Sequence, residues 1–191
     1  SASIIAYGNR ILRIGCHEAE LNVPDTDTLI EVLWETLQEC RGVGLASPQI
    51  DRDLRAFVGD SEAMYRDLSQ ADRKTIFAGD EGIREAFINP KILAFSEELW
   101  SEKEACLSIP GISEPVERSW EIIIEYCDRA CEFHRKQFSG FTAKVIQHEY
   151  DHLNGRLFID HLPALKKKLL KNRLKKIREG KIPANYPIKY A

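Results

Sequence analysis

Apolar residues at Leu29, Val32, Leu33, Leu37 and Cys40 recur at the spacing of one helix face, which predicts a helix over 25–40. Thr26 or Asp27 is placed to cap its start, and Gly42 or Gly44 to end it. Short β-branched or aromatic runs at 54–59, 86–93 and 120–127 are bounded by polar, Gly or Pro residues and read as strands. The alternating stretch 131–138 is expected to pair back on 120–127 through a turn at 128–130. A helix is expected over 141–154, ended by Asn154-Gly155, and a last one over 163–179. Residues 60–85 carry seven acids and four bases between two strands. A structureless loop of that length is uncommon in a compact domain, so a short helix near 61–71 with a surface excursion is expected.

Composition narrows the class without naming a function. At 191 residues the chain suits one well-buried domain, and 43% hydrophobic with 30% charged residues is ordinary for a soluble globular protein. No apolar run approaches the ~20 residues that span a bilayer, and the opening residues do not read as a signal peptide. Five cysteines at irregular spacing, with no export signal, read as free thiols in a reducing compartment. The net charge of −3 conceals an asymmetry: residues 166–191 carry +9, and the rest of the chain −12.

The stretch "QHEYDHLNG" (147–155) points to specific chemistry. His148 and His152 stand four apart, so on a helix both imidazoles project from one face with Glu149 beside them. Two nitrogen ligands and a carboxylate base are the parts of a metal-hydrolase helix; the plainer alternative is a helix with two surface histidines. The apolar neighbours Phe141, Val145, Ile146 and Leu153 indicate burial, and buried imidazoles need partners. A catalytic metal needs a third protein ligand. None follows His152 in register: Phe158 stands where a third histidine would, His161 is out of register, and the only later glutamate is Glu179 in the basic tail. Upstream, Cys106 in "EACLSIPG" would complete a thiolate–imidazole set for Zn²⁺ or Fe²⁺, its alternative being a small buried hydrophobe. "GVGLASPQ" (42–49) reads as a Gly-rich turn ending in an amide, suited to a peptide backbone and an oxyanion.

In this order the three segments resemble peptide deformylase, whose motifs are G-x-G-L-A-A-P-Q, E-G-C-L-S and Q-H-E-x-D-H-L-x-G. The third is matched completely by residues 147–155; the first departs at Ser47 and the second at Ala105. The resemblance extends over most of residues 4–165 and is weakest at 60–85. It implies a single α+β domain over 1–191, with antiparallel β-sheets packed around a central metal-binding helix and a C-terminal helix. Cys106, His148 and His152 would bind one divalent ion, natively Fe²⁺ and often replaced by Zn²⁺ or Ni²⁺. Glu149 would be the general base, and the Gln49 side chain with the Leu107 N–H would face the oxyanion. The substrates would be N-formylmethionyl nascent peptides, with formate as product. Val43 and Gly44 would pair with the peptide backbone, and Phe141 and Val145 would line the methionine pocket or else pack in the core. Ala105 would strain the turn that aims Cys106 if the backbone there requires φ > 0.

The tail places Leu165, Leu169, Leu170, Leu174 and Ile177 close to one helical stripe, with eight Lys/Arg between 166 and 178. An amphipathic helix packed on the body is the plain reading. The resemblance adds docking on the ribosome, whose phosphates a basic helix attracts. It also implies the cytoplasm of a bacterium, although an organellar form with its transit peptide removed would read the same way. Two rivals make different demands. An endopeptidase needs a ligand after His152. A non-catalytic ribosome-binding member of the fold would be expected to lack Glu149, Cys106 or Gln49, and only Ala105 speaks for it.

Overall fold

The computed structural model describes residues 1–77 and 79–191. A two-residue strand β1 (Ile4–Ile5) precedes helix α1 (Pro24–Cys40) and strands β2 (Gly44–Ala46) and β3 (Ala56–Asp60). Two short helices follow, α2 (Ser61–Asp67) and α3 (Gln70–Ile76). Then come β4 (Arg84–Phe95), β5 (Leu99–Cys106), β6 (Ile109–Ser119), β7 (Glu121–Cys127) and β8 (Phe133–Ser139). Helices α4 (Gly140–Leu153) and α5 (Ala164–Arg178) and strand β9 (Ile188–Lys189) complete the order.

Strands β2-β3-β4-β7-β8 form one antiparallel sheet with β2 at its edge, and β5 and β6 form a separate antiparallel hairpin. The α+β architecture expected from the sequence is present, with one exception to its antiparallel pairing. Terminal strands β1 and β9 lie parallel, Ile4 opposite Ile188. Along β7, Ile122, Ile124 and Tyr126 point inward while their neighbours are partly exposed, the period-two pattern of a half-buried strand.

Helix α4 is buried around most of its circumference, as a helix in the centre of a fold must be. Its Ala143, Ile146 and Leu153 join Phe57, Phe87, Ile124 and Tyr126 of the large sheet. Phe57 and Phe87 stack with centroids 4.6 Å apart. Elsewhere on α4, His148 stacks on Phe158, which shares a cluster with Cys106, Ile109 and Ile112 of the β5–β6 hairpin. The helix therefore sits between sheet and hairpin, and its polar residues are enclosed by both.

Several boundaries differ from the sequence expectation. Helix α1 starts at Pro24 with Val23 at the cap position, and Thr26 instead donates its hydroxyl to the Glu20 carbonyl at 2.6 Å. The fixed φ of proline suits the first helical position, which displaces the cap upstream. The helix ends at Arg41, whose φ of 54° takes the left-handed conformation expected of a glycine there. "GVGLASPQ" is an edge strand followed by a 3₁₀ turn over Ser47–Ile50 rather than a turn alone. The 60–85 segment holds two short helices instead of one, and its residue 78 lies outside the described residues. The turn between β7 and β8 spans 128–132, with Cys131 at φ 61°. Helix α5 buries Leu170 and Ile177 with Leu174 packed beside them, but leaves Leu165 and Leu169 about 70% and 67% exposed. The five apolar residues therefore do not form one buried stripe.

Candidate metal centre and peptide cleft

Two elements meet at the centre. Strand β5 delivers Cys106 at its end, and two residues earlier, on the same buried face, Glu104. Helix α4 presents His148 and His152 side by side, ring centroids 5.2 Å apart. The Cys106 Sγ lies 3.4 Å from the His152 Nε2, and one donor atom from each of Cys106, His148 and His152 lies within 4.8 Å of the others. His148 donates its Nδ1–H to Glu104 Oε1 at 2.7 Å, which in the neutral ring fixes the tautomer and leaves the Nε2 lone pair for a metal. A thiolate and two imidazoles in this proximity are a sound donor set for a divalent transition metal. These residues fit such an ion, and Cys106, His148 and His152 can hold it.

Glu104 is itself gripped. Arg118, 4% exposed, donates two hydrogen bonds to it at 2.9 Å and a third to Asp151 at 2.6 Å. His161 shares the same Asp151 oxygen at 2.7 Å. Burial alone would raise the Glu104 carboxyl, but the His148 and Arg118 bonds and charges hold it well below the usual carboxylate range. Burial likewise disfavours charge on Asp151, and His161 and Arg118 together keep it low. For His148, the cost of burial is outweighed by the nearby Cys106 thiol, the Glu104 hydrogen bond and the Glu149 charge, so in the metal-free protein its pKa lies well above the ordinary imidazole value. His152 has no carboxylate bonded to it among the described residues; burial and the neighbouring His148 hold it well below.

Glu149 projects into the cleft beside the triad. Burial pushes its carboxyl up to about 7, with the His148 charge opposing and the Glu104 charge adding. Its Oε2 is buried without a hydrogen-bond partner among the described residues, as is the His152 Nδ1. A carboxyl poised near neutrality with an unengaged oxygen is the form a general base takes. Gln49 closes the 3₁₀ turn after β2. Its Oε1 accepts the Ala46 N–H at 2.9 Å, while its Nε2 donates to Ser108 Oγ at 3.2 Å and reaches Cys106 Sγ at 3.5 Å.

A cleft of about 430 Å³ opens on these groups, lined by Val43, Gly44, Gln49, Cys106, Leu107, Phe141, Val145, His148 and Glu149. Of the residues singled out from the sequence, only His152 is off this lining, 1% exposed at the back of the triad. Phe141 lines the cleft and also packs on Phe77, ring centroids 5.4 Å apart. Ala105 is in extended strand, outside the left-handed region, so its Cβ strains nothing there. That removes the one residue that spoke for a non-catalytic member of the fold.

Sequence reasoning missed the groups that orient the ligands. Neither Asp151 nor Gln147 bonds a ligand imidazole: Gln147 donates to the Ser119 and Ala143 carbonyls, and Asp151 serves Arg118. The orienting group is Glu104, which the i, i+2 strand spacing to Cys106 could have signalled. Arg118 carries no local signal: it lies on β6 opposite Trp100, four residues along β5 from Glu104, and its long side chain spans that distance. Met64 of α2 and Tyr186 of the tail also line the cleft, and nothing in their neighbourhoods announces it.

Gly44 has a specific reason to be glycine. A Cβ there would lie 2.5 Å from Glu149 Oε1 and 2.8 Å from its Cγ. Gly44→Ala is therefore expected to displace Glu149 and lower kcat by about 100-fold, the cost of a misplaced catalytic group, with little change in metal content. Steady-state kinetics beside metal analysis checks this.

Comparison with known proteins decides the family. A family model described as polypeptide deformylase matches residues 1–168. The chain belongs to the peptide deformylase family. It is 40% identical over 189 residues to a peptide deformylase of Christiangramia forsetii, covering 98% of this chain and 94% of that one. Among solved structures it resembles peptide deformylase from Ehrlichia chaffeensis, with TM-score 0.80, 29% identity, and 94% and 97% of the two chains covered. The Met-Ala-Ser-bound class I type b peptide deformylase of Acinetobacter baumannii aligns with TM-score 0.73 and 28% identity, over 84% of this chain and 98% of that chain. Membership accounts for the antiparallel sheets and the C-terminal helix, and no helix among the described residues is long and apolar enough to cross a membrane.

Proposed function

We propose that residues 1–191 act as one catalytic domain that hydrolyses the formyl group from the N-terminal formylmethionine of nascent polypeptides, releasing formate. The observation that carries this is the convergence of Cys106, His148 and His152 within 4.8 Å, with Glu149 and Gln49 on the same cleft. The three ligands would hold one divalent ion, Fe²⁺ in the cell and Zn²⁺ or Ni²⁺ in preparations. When bound, such an ion supplies Lewis acidity and lowers the pKa of water from 15.7 to about 7.

The protein's own groups do the rest. Glu149, with one oxygen unengaged, accepts a proton from the attacking water and returns it to the departing amine. The Gln49 Nε2–H and the Leu107 N–H stand beside Cys106, where the formyl oxygen becomes an oxyanion. Edge strand β2 continues from Val43 and leaves its outer side open, so the peptide can add as a further strand. The apolar sides of Phe141 and Val145 would receive the methionine side chain, while side chains farther along would meet solvent and be read weakly. That the Acinetobacter relative binds Met-Ala-Ser supports a deformylated peptide as the product held here.

Gln49→Leu is expected to lower kcat about 100- to 1,000-fold, since losing one oxyanion donor costs about 2.7–4 kcal/mol. The function itself is tested by formate release before and after chelation. Activity should disappear with the ion and return with Fe²⁺, and acetyl-Met-Ala-Ser should yield no acetate. The setting is the bacterial cytoplasm. The Lys/Arg-rich face of α5 is the surface proposed to meet ribosomal phosphates, with Lys167, Lys168, Lys171 and Lys175 lining one groove beside Arg13.

A further inference from the structure

After α5 the chain reverses at Gly180 and runs back across the molecule. Strand β9 pairs with β1, and the Ile4 and Ala6 N–H groups donate to the Pro187 and Lys189 carbonyls at 2.9 Å. This return brings Tyr186 to the cleft. Its hydroxyl donates to the Leu107 carbonyl at 2.8 Å, and its ring packs in the cluster that holds Leu37, Leu45 and Leu107. The residue next to Leu107 is held just as deliberately. Tyr7, one residue past the last of the β1 pairings, donates its N–H to the Ser108 carbonyl at 2.8 Å, and Gln49 donates to the Ser108 hydroxyl. The two-residue turn that follows Cys106 is thus fixed from outside by both ends of the chain.

We infer that Tyr186 is a positioning residue of the active site: its hydroxyl, on the returning C-terminal segment, sets the orientation of Leu107 and so of the N–H beside Cys106. The inference rests on the proposed deformylase reading for what that N–H does, but not for whether Tyr186 holds the turn. The geometry has a direct reason. Leu107 is only partly buried and lines the cleft, and its N–H and C=O belong to the two peptide planes on either side of its Cα. Anchoring the carbonyl of one plane restricts ψ at Leu107 and limits the freedom of the N–H on the other. A hydroxyl already engaged by the Leu107 carbonyl would then act on the rate more than on binding of the peptide.

Tyr186→Phe keeps the ring in its apolar seat and removes only the hydroxyl. Tyr190→Phe is the control, since the Tyr190 hydroxyl bonds the Ile182 carbonyl within the same tail, away from the cleft. With iron-loaded full-length protein, Tyr186→Phe is expected to lower kcat for formyl-Met-Ala-Ser about 3- to 10-fold, the size of one net hydrogen bond, with KM unchanged. Tyr190→Phe is expected to match wild type. In the same samples, deuterium uptake in the peptide containing 106–109 should quicken in Tyr186→Phe alone. Wild-type kcat and wild-type uptake in Tyr186→Phe would overturn the inference, as would an equal loss in both variants. An inactive wild type would count against the deformylase reading, and the uptake measurement would still decide whether Tyr186 holds the turn.

Discussion

Replacing Glu149 with alanine is expected to lower kcat for formate release by about 100- to 10,000-fold, the range typical of a positioned general base, while the protein stays folded and metal-loaded. Glu149 stands apart from the ligand set: it bonds neither imidazole, one of its oxygens lacks a partner, and it lines the cleft where a substrate would lie. Its burial gives a second, independent sign. A carboxyl raised to about 7 is destabilising once ionised, because the unfolded chain gives up that proton near pH 4. The contribution is neutral below the unfolded pKa and becomes unfavourable as pH rises toward the folded one. Glu149→Gln keeps the shape and removes the charge, so in the metal-free protein its Tm at pH 8 is expected to equal or exceed that of wild type. A variant that lost activity and stability together would instead mark Glu149 as structural.

Arg118→Leu is expected to have the largest effect on stability, about 3–5 kcal/mol at pH 7, because it removes the one permanent cation bonded to two buried carboxylates and leaves each with a histidine alone. Glu104 and Asp151 are 4% and 15% exposed at their side chains, and Arg118 bonds both. The sign with pH follows from the depressed carboxyls. In wild type their contribution is present above the unfolded carboxylate range and is lost as pH falls through the lower folded values. Without Arg118 the burial penalty acts with less opposition, so the variant is disfavoured most where both groups are ionised. The gap between wild type and variant should therefore narrow as pH falls toward 4, measured by denaturant unfolding at a series of pH values. Because Glu104 also orients His148, metal content should fall in the same variant, which a purely surface arginine would not cause.

The parts legible in the sequence were those whose signal is local. The i, i+4 pair of His148 and His152, the β-branched and aromatic run of 120–127 and the helix face of Leu29 to Leu37 each reflect one element's own residues, and each stands where it was expected. What escaped depends on contacts between distant segments. Strand β6 contains Pro110 and Pro115, which hid a strand that tolerates them in a two-stranded hairpin with no third neighbour. The Glu104–Arg118 pair joins the two strands of that hairpin through a long side chain that starts opposite Trp100, and Tyr186 reaches Leu107 as β9 returns to β1. The exposed Leu165 and Leu169 show the opposite error, apolar residues counted with a stripe although at 3.6 residues per turn they lie roughly 100–140° around the helix from the buried Leu170. Motif order at 42–49, 104–108 and 147–155 supplied what periodicity did not. It predicted that segments a hundred residues apart would meet, and they line one cleft.

The most direct test is the stoichiometry of the reaction itself. Protein prepared anaerobically with Fe²⁺ is given formyl-Met-Ala-Ser, and formate and the free methionyl amine are quantified together, beside the Glu149→Ala variant. One formate per free amine, dependent on Glu149, is the result predicted here. Folded, metal-loaded wild-type protein that releases neither product would contradict the account.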